Sequence, residues 1–178
     1  MIVATPSDEW ELRNMMFTAL QSDVPFAIRY PRGCGRGTAW REMPFEAIEV
    51  GKARQVREGD DVAIFAFGTL LADAEQVAEQ ASLIGVSTAV YDMRFAKPLD
   101  EAAILDVARK VKRIVTIEDG ILRGGAGEAV IKLLNDNHIA TSVTTLGIDD
   151  KFVEHGTIAE LRHLCGYSID DILHAVVE

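Results

Sequence analysis

Short apolar blocks run through the last two-thirds of the chain, and their period switches between two and about 3.6. Asp61 to Phe67, read DVAIFAF, is almost continuously apolar, the pattern of a strand buried on both faces of a parallel sheet. Gly68 and Thr69 then turn the chain into a helix whose core side is Leu70, Ala74, Val77, Ala81 and Ile84, with Gly85 at its C′ position. Val86 to Met93 is the next strand, and Arg94 to Leu99 a crossover. Asp100 caps a helix marked by Ile104, Val107, Ala108 and Val111. Arg113 to Glu118 is a strand, Asp119 to Gly127 a glycine-rich turn, Glu128 to Asn137 a helix and Thr141 to Leu146 a strand. Thr157 with Glu160 forms a capping box that opens a helix through Leu164, and Ser168 caps a last helix on Ile169, Ile172, Leu173 and Val176. This alternation predicts an α/β fold: a mostly parallel sheet with right-handed crossovers and helices on both faces.

Upstream the pattern is less regular. Met1 to Thr5 reads as a strand closed by Pro6. Ser7 is the expected N-cap of a helix with acids in its first turn and Leu12, Met15, Met16, Ala19 and Leu20 on one apolar face. Phe26, Ile28 and Tyr30 alternate as a second strand, which Pro31 ends. One β-α-β unit cannot cover its own sheet, so residues 1–37 look like the tail of a larger domain. Residues 38–50 have no clear period and read as a linker, with Trp40 a candidate anchor. From Gly51 the chain forms a complete α/β domain, residues 51–178. The strand at Lys52 to Val56 meets the next through the tight turn Glu58-Gly59-Asp60, which predicts an antiparallel edge strand.

Charge changes this picture in one place. The 178 residues carry a formal net charge of −10, which argues against a nucleic-acid or anionic-membrane surface. Yet from Arg29 through Arg41 there are four arginines and no acid. Three glycines, Gly33, Gly35 and Gly37, sit among them. Planar guanidinium forks and a glycine loop at a strand end suit a carboxylate or phosphate, and a solvated basic loop is the plainer alternative. No apolar run is long enough to span a membrane, and MIVATPSDEW lacks the features of a signal peptide. Cys34 and Cys165 form no CxxC, so a reducing, cytoplasmic setting is expected.

Other chemistry is sparse. The stretch Glu118-Asp119-Gly120 to Gly124-Gly125-Ala126-Gly127 follows a strand and opens a helix, the setting of a phosphate loop. Val130 stands at the third fingerprint position, and no Lys-Ser/Thr follows, so tight helix packing explains the glycines equally well. Glu118 and Asp119 are a candidate acid/base pair, with helix capping and loop bonding as the alternative uses. His138, His155, His163 and His174 have no ligand spacing, and no metal site is expected in this chain. Cys34 has no obvious base beside it.

Six pieces in order resemble one family. They are PSDEWELRNM from Pro6, RYPRGCGRG from Arg29, FGTL from Phe67, DMRFAKPLD from Asp92, EDGILRGGAG from Glu118 and LGIDDKFVEHG from Leu146. Together they are similar to the C-terminal part of 1-deoxy-D-xylulose-5-phosphate synthases, thiamine-diphosphate enzymes related to transketolase. Asp149 departs from the family, which usually has proline there.

The resemblance implies a three-layer transketolase C-terminal-like domain with a mostly parallel five-stranded sheet and one antiparallel edge strand. Before it would lie the last β-α-β of a pyrimidine-binding domain. The whole enzyme joins pyruvate and glyceraldehyde 3-phosphate into 1-deoxy-D-xylulose 5-phosphate with loss of CO2, serving isoprenoid and thiamine precursor synthesis. It uses thiamine diphosphate and Mg²⁺, neither expected on this chain alone, and works as a homodimer. The family's cofactor motif, its activating glutamate and its substrate-facing histidines are absent, so no catalytic residue is expected here. Arg32 is the implied holder of the aldehyde's phosphate, and Arg29 a weaker candidate. Two other readings are a free-standing subunit of a split thiamine-diphosphate enzyme, and an E1-β-like piece of a 2-oxoacid dehydrogenase, against which RYPRG speaks.

Overall fold

The computed structural model describes all 178 residues. Its centre is a five-stranded sheet built from β3 (Arg54–Arg57), β4 (Val62–Phe67), β5 (Thr88–Asp92), β7 (Arg113–Ile121) and β8 (Ser142–Ile148), in the order β3-β5-β4-β7-β8. All neighbours are parallel except β3, the antiparallel edge. β3 does not form a hairpin with β4 as the tight turn suggests. It crosses to β5, with Arg54 opposite Asp92, because both flanks of β4 are taken by parallel partners.

Every residue of β4 is buried, and the strand feeds two cores. Val62, Ile64 and Ala66 face α2 (Leu71–Leu83) and α6 (Ile169–Val177), where Ala74, Val77, Ile172 and Val176 pack on them. Ala63, Phe65 and Phe67 face α3 (Glu101–Ala108) and α4 (Ala126–Asp136), through Ile104, Val107, Val130 and Leu134. The period of two thus sorts one strand between two helical layers. A short 3₁₀ turn at Gly68–Leu70 precedes α2, and Ile84, expected in the core, lies exposed beyond its end. Asp100 caps α3 by accepting from Ala103 N at 3.1 Å. The expected capping box opens α5 (Ile158–Cys165), and Ser168 caps α6 as expected, with Asp171 completing a second box.

A second sheet orders the N-terminal segment. β1 (Ile2–Ala4) pairs in parallel with β2 (Phe26–Ile28), and α1 (Glu9–Leu20) connects them. The other side of β1 holds β6 (Phe95–Lys97), antiparallel, inside the segment the sequence presents as a plain crossover. Three alternating residues between a strand and a helix cap leave too short a signal to see. Ala4, Met15, Ile48 and Phe95 close a small third core, so the first fifty residues and the larger domain share a sheet and a core.

α1 departs most from its pattern. Its N-cap is Asp8, which accepts from Glu11 N at 2.8 Å, while the Ser7 hydroxyl donates instead to Asp92 Oδ2 at 2.8 Å. Its buried face is Glu11, Asn14, Met15 and Thr18, and Met16 and Leu20 point outward. The polar positions sit inward because each finds a partner. Glu11 meets Arg94, Asn14 Oδ1 accepts from Glu46 N at 3.2 Å, and the Thr18 hydroxyl accepts from Ile48 N at 2.8 Å. Arg13 anchors the residues after Gly37: it donates to the carbonyls of Trp40, Met43 and Pro44 and lies over the Phe45 ring.

Candidate functional site

The arginine loop follows β2 directly. Arg29 N donates to Ala4 O at 2.8 Å, extending the pairing by one residue, and then Pro31 ends it. The Arg29 guanidinium reaches across to the large sheet and donates to the Asp119 carbonyl on β7. It also passes over Gly120, where an added Cβ would lie 3.1 Å from Arg29 Nη1. Arg29 therefore bonds to the protein itself rather than standing free. Farther along, Glu9 Oε1 accepts from Gly37 N at 2.7 Å. Gly35 passes so close to this carboxylate that a Cβ there would fall 2.0 Å from Glu9 Oε1. Backbone N–H groups, its own and that of Gly37 first, hold the Glu9 carboxyl below its ordinary range.

Several clefts open beside the loop, and two of them reach Asp119 at the C-terminal end of the large sheet, where ligands bind in open α/β folds. One, of about 170 Å³, is lined by Thr5, Pro6, Tyr30, Gly68, Glu118 and Asp119 among others. The other, of about 470 Å³, lies between the loop and helices α2 and α5. Arg32, Arg36, Thr69, Asp119, Arg162 and Tyr167 line it, so Arg32 stands where the sheet end, the loop and α5 meet. Asp73 Oδ2 takes Arg162 Nη1 at 2.6 Å. Burial raises the Asp73 carboxyl, and the charges of Arg162 and Arg36 draw it back. The Tyr167 hydroxyl donates to Asp119 Oδ1 at 3.0 Å. Burial and the Asp119 carboxylate push that hydroxyl up to about 12, which keeps it neutral.

The glycine-rich turn is not a phosphate cradle. Glu118 occupies the N-terminus of α4 itself, accepting from Ala126 N at 3.0 Å and Gly127 N at 2.9 Å. A carboxylate there satisfies the free N–H groups and complements the helix dipole. The glycines serve close packing: a Cβ on Gly125 would lie 2.2 Å from Ile121 O, and one on Gly127 2.6 Å from Thr116 Oγ1. Glu118 and Asp119 therefore act in capping and loop bonding, not as an acid/base pair. His155 and Cys34 are exposed, and no group of three or more His, Cys, Asp or Glu is placed to hold a metal ion. No helix is long and apolar enough to cross a membrane.

The family model described as transketolase, C-terminal domain, matches residues 51–172. The chain belongs to the transketolase C-terminal domain family. Its similarity extends through the N-terminal segment as well. The 1-deoxy-D-xylulose-5-phosphate synthase of Bacteroides fragilis is 43% identical over 178 residues, covering 99% of this chain and 27% of that protein. The enzyme of the same name from Cytophaga hutchinsonii is 46% identical over 181 residues, covering 99% and 28%. The chain thus spans little more than a quarter of the length of these curated relatives. Among solved structures, a split-gene transketolase described as an inactive β4 tetramer matches with a TM-score of 0.86 at 29% identity, over 99% of this chain and 56% of that one. The transketolase of Campylobacter jejuni shares the fold, with a TM-score of 0.70 at 16% identity.

Within this transketolase C-terminal domain, the DMRFAKPLD piece has a role the sequence did not disclose. Arg94 sits in a left-handed conformation, φ 56°, which aims it at α1. There it binds Glu11, while Asp92 takes Ser7 and Arg54. Arg162 also escaped notice, since it lies on a helix remote in sequence from the arginine loop.

Proposed function

We propose that this chain is the C-terminal portion of a 1-deoxy-D-xylulose-5-phosphate synthase and that Arg32 holds the phosphate of glyceraldehyde 3-phosphate. In the whole enzyme that aldehyde is joined to pyruvate with loss of CO2. The observation that carries the reading is the place of Arg32: a strand-end loop beside a cleft, in a chain similar to those synthases over almost its entire length. On this reading residues 1–37 belong to a pyrimidine-binding domain, 38–50 are a linker and 51–178 form the C-terminal domain. That domain supplies contacts in a cytoplasmic homodimer.

The parent enzymes depend on thiamine diphosphate and Mg²⁺. The residues of this chain do not fit that cofactor. The helix N-terminus best placed for a diphosphate is filled by the Glu118 carboxylate, and no carboxylate group is gathered for the metal. The cofactor is therefore assigned to other parts of the enzyme, and no chemical step to a residue of this chain.

Arg32→Ala in the intact enzyme should raise the KM for glyceraldehyde 3-phosphate and leave that for pyruvate unchanged. An unaltered aldehyde KM would remove Arg32 from the role. A second reading, a free-standing subunit of a split enzyme, is favoured by the fit to a split-gene transketolase over 99% of this chain. Blotting source cells with an antibody to this chain separates the two: a band far above 19.5 kDa means part of a longer enzyme, and a band at that mass means a subunit.

A further inference from the structure

The larger cleft has two basic walls. Arg32 and Arg36 come from the loop, and Arg162 comes from α5, some 130 residues away along the chain. Against these three cations stand two carboxylates, Asp73 and Asp119, each already engaged by the protein. Asp73 holds Arg162, and Asp119 accepts from Tyr167. Neither carboxylate forms an ion pair with Arg32 or Arg36. The cleft therefore keeps positive charge to offer, on a molecule whose net charge is −10.

Arg162 is fixed before any ligand arrives. The capping box of Thr157 and Glu160 starts α5, and Gly166, at φ 74°, ends it one turn after Arg162. Tyr167 N donates to the Arg162 carbonyl at 3.0 Å. The Asp73 bond uses Nη1 and Nε is buried, so the guanidinium is held at the cleft wall with Nη2 as the donor left for a ligand. A guanidinium already oriented loses little freedom on meeting an oxyanion.

We infer that Arg162 is a second phosphate-binding arm, so that a phosphate monoester in this cleft is gripped from the loop by Arg32 and from α5 by Arg162. The inference rests on the reading of Arg32 given above and extends it. Residues 51–178 then recognise the ligand as well as packing the fold. Asp73 is a positioning residue: it orients Arg162 and also places a negative charge near the incoming phosphate.

The test is calorimetric titration of the whole enzyme that carries this chain, at low ionic strength, with glyceraldehyde 3-phosphate and separately with inorganic phosphate. Arg162→Gln and Arg32→Gln should each weaken binding of the sugar phosphate about tenfold or more, the loss expected for a charge-assisted bond. Arg109→Gln, on the exposed end of α3, should bind as the parent does. Asp73→Asn keeps an oxygen for Arg162 but removes the opposing charge, and should tighten binding. A merely structural Asp73–Arg162 bridge would make that variant bind worse or unchanged, which would overturn the inference. Should Arg162→Gln fail to fold, Arg162→Lys and Asp73→Asn carry the same test. Full affinity in Arg162→Gln with loss in Arg32→Gln would overturn the second arm and leave the Arg32 reading standing. No binding by the parent protein would overturn both. Tighter binding of the sugar phosphate than of inorganic phosphate supports a substrate site. Equal binding supports the second arm and assigns the cleft to free phosphate.

Discussion

Arg94 grips Glu11 across 83 residues of sequence, with Nε donating to Oε2 at 3.0 Å and Nη2 to Oε1 at 2.6 Å. Glu11 is wholly buried, and Arg94 is only 16% exposed. The pair bolts α1 to the turn after β5, and so the N-terminal segment to the large domain. Removing Glu11 leaves the mostly buried Arg94 guanidinium without its two-bond partner. Glu11→Ala should therefore cost about 3–5 kcal/mol of unfolding free energy in urea. Replacing both partners, as Glu11→Met with Arg94→Met, should cost much less. Equal losses in the single and double variants would mean that the pair acts only through its volume.

The neighbouring Asp92 titrates in an accessible range. Burial, helped by the charge of Glu11, raises its carboxyl to about 6, against the pull of Ser7, Arg54 and Arg94. The folded chain then holds this proton more tightly than the unfolded chain, whose aspartate titrates near 3.8. Between those two values the native state binds more protons, so Asp92 makes stability rise as pH falls from about 6 towards 4. Above 6 its ionised form is a constant destabilising load on the order of 2–3 kcal/mol. Asp92→Asn should flatten this part of the profile. The difference between parent and variant, followed by urea unfolding at each pH, should slope between pH 4 and 6 and be level above. A level difference throughout would place the carboxyl at its ordinary value.

Helix α1 and strand β6 show where the sequence was legible and where it was not. The buried strands and helices from Asp61 onward declare themselves because both faces of β4 are apolar and each helix carries one apolar stripe. Caps at Asp100, Thr157 and Ser168 are local, and they sit where expected. α1 misleads because its inward face is polar, and a polar side chain is stable inside only through partners far away in sequence. Period alone then chooses the wrong stripe, Met16 and Leu20. β6 is hidden for the related reason that its partner, β1, lies some 90 residues upstream. At the cleft, the arginine loop was visible as a basic run. Arg162 and the capping role of Glu118 were not, since only folding brings them beside it.

The loop that carries Arg32 should loosen with acid. Glu9 clamps it through Gly37 N, and those backbone bonds hold the carboxyl below its ordinary range. A depressed carboxyl contributes its hold above the unfolded value of 4.5 and loses it as pH falls through the lower folded value. Amide exchange at Gly37, corrected for the intrinsic pH dependence, should accelerate in acid, and Glu9→Ala, which removes the accepting oxygen, should exchange fast at every pH. Gly35→Ala should do the same, because the new methyl must displace the Glu9 carboxylate. Slow exchange at Gly37 in Glu9→Ala would show that the loop is held by something else.

Glu118 makes the sharpest test of the glycine turn. Its carboxylate takes the N–H groups of Ala126 and Gly127 and fills the start of α4. Glu118→Ala strips both donors of their partner in a buried place, a loss of about 2–4 kcal/mol. It also leaves an uncovered helix N-terminus framed by glycines, which is the setting in which small oxyanions bind. The variant should therefore become stabilised by sulfate beyond the general effect of that salt, through mass action on the folded state. Melting temperature is followed for parent and variant over a sulfate series at constant ionic strength. A steeper rise for Glu118→Ala means that the turn is a latent oxyanion site closed by the protein's own carboxylate. Parallel rises mean that Gly125 and Gly127 shape the turn for packing alone, and that removing Glu118 exposes no usable cradle.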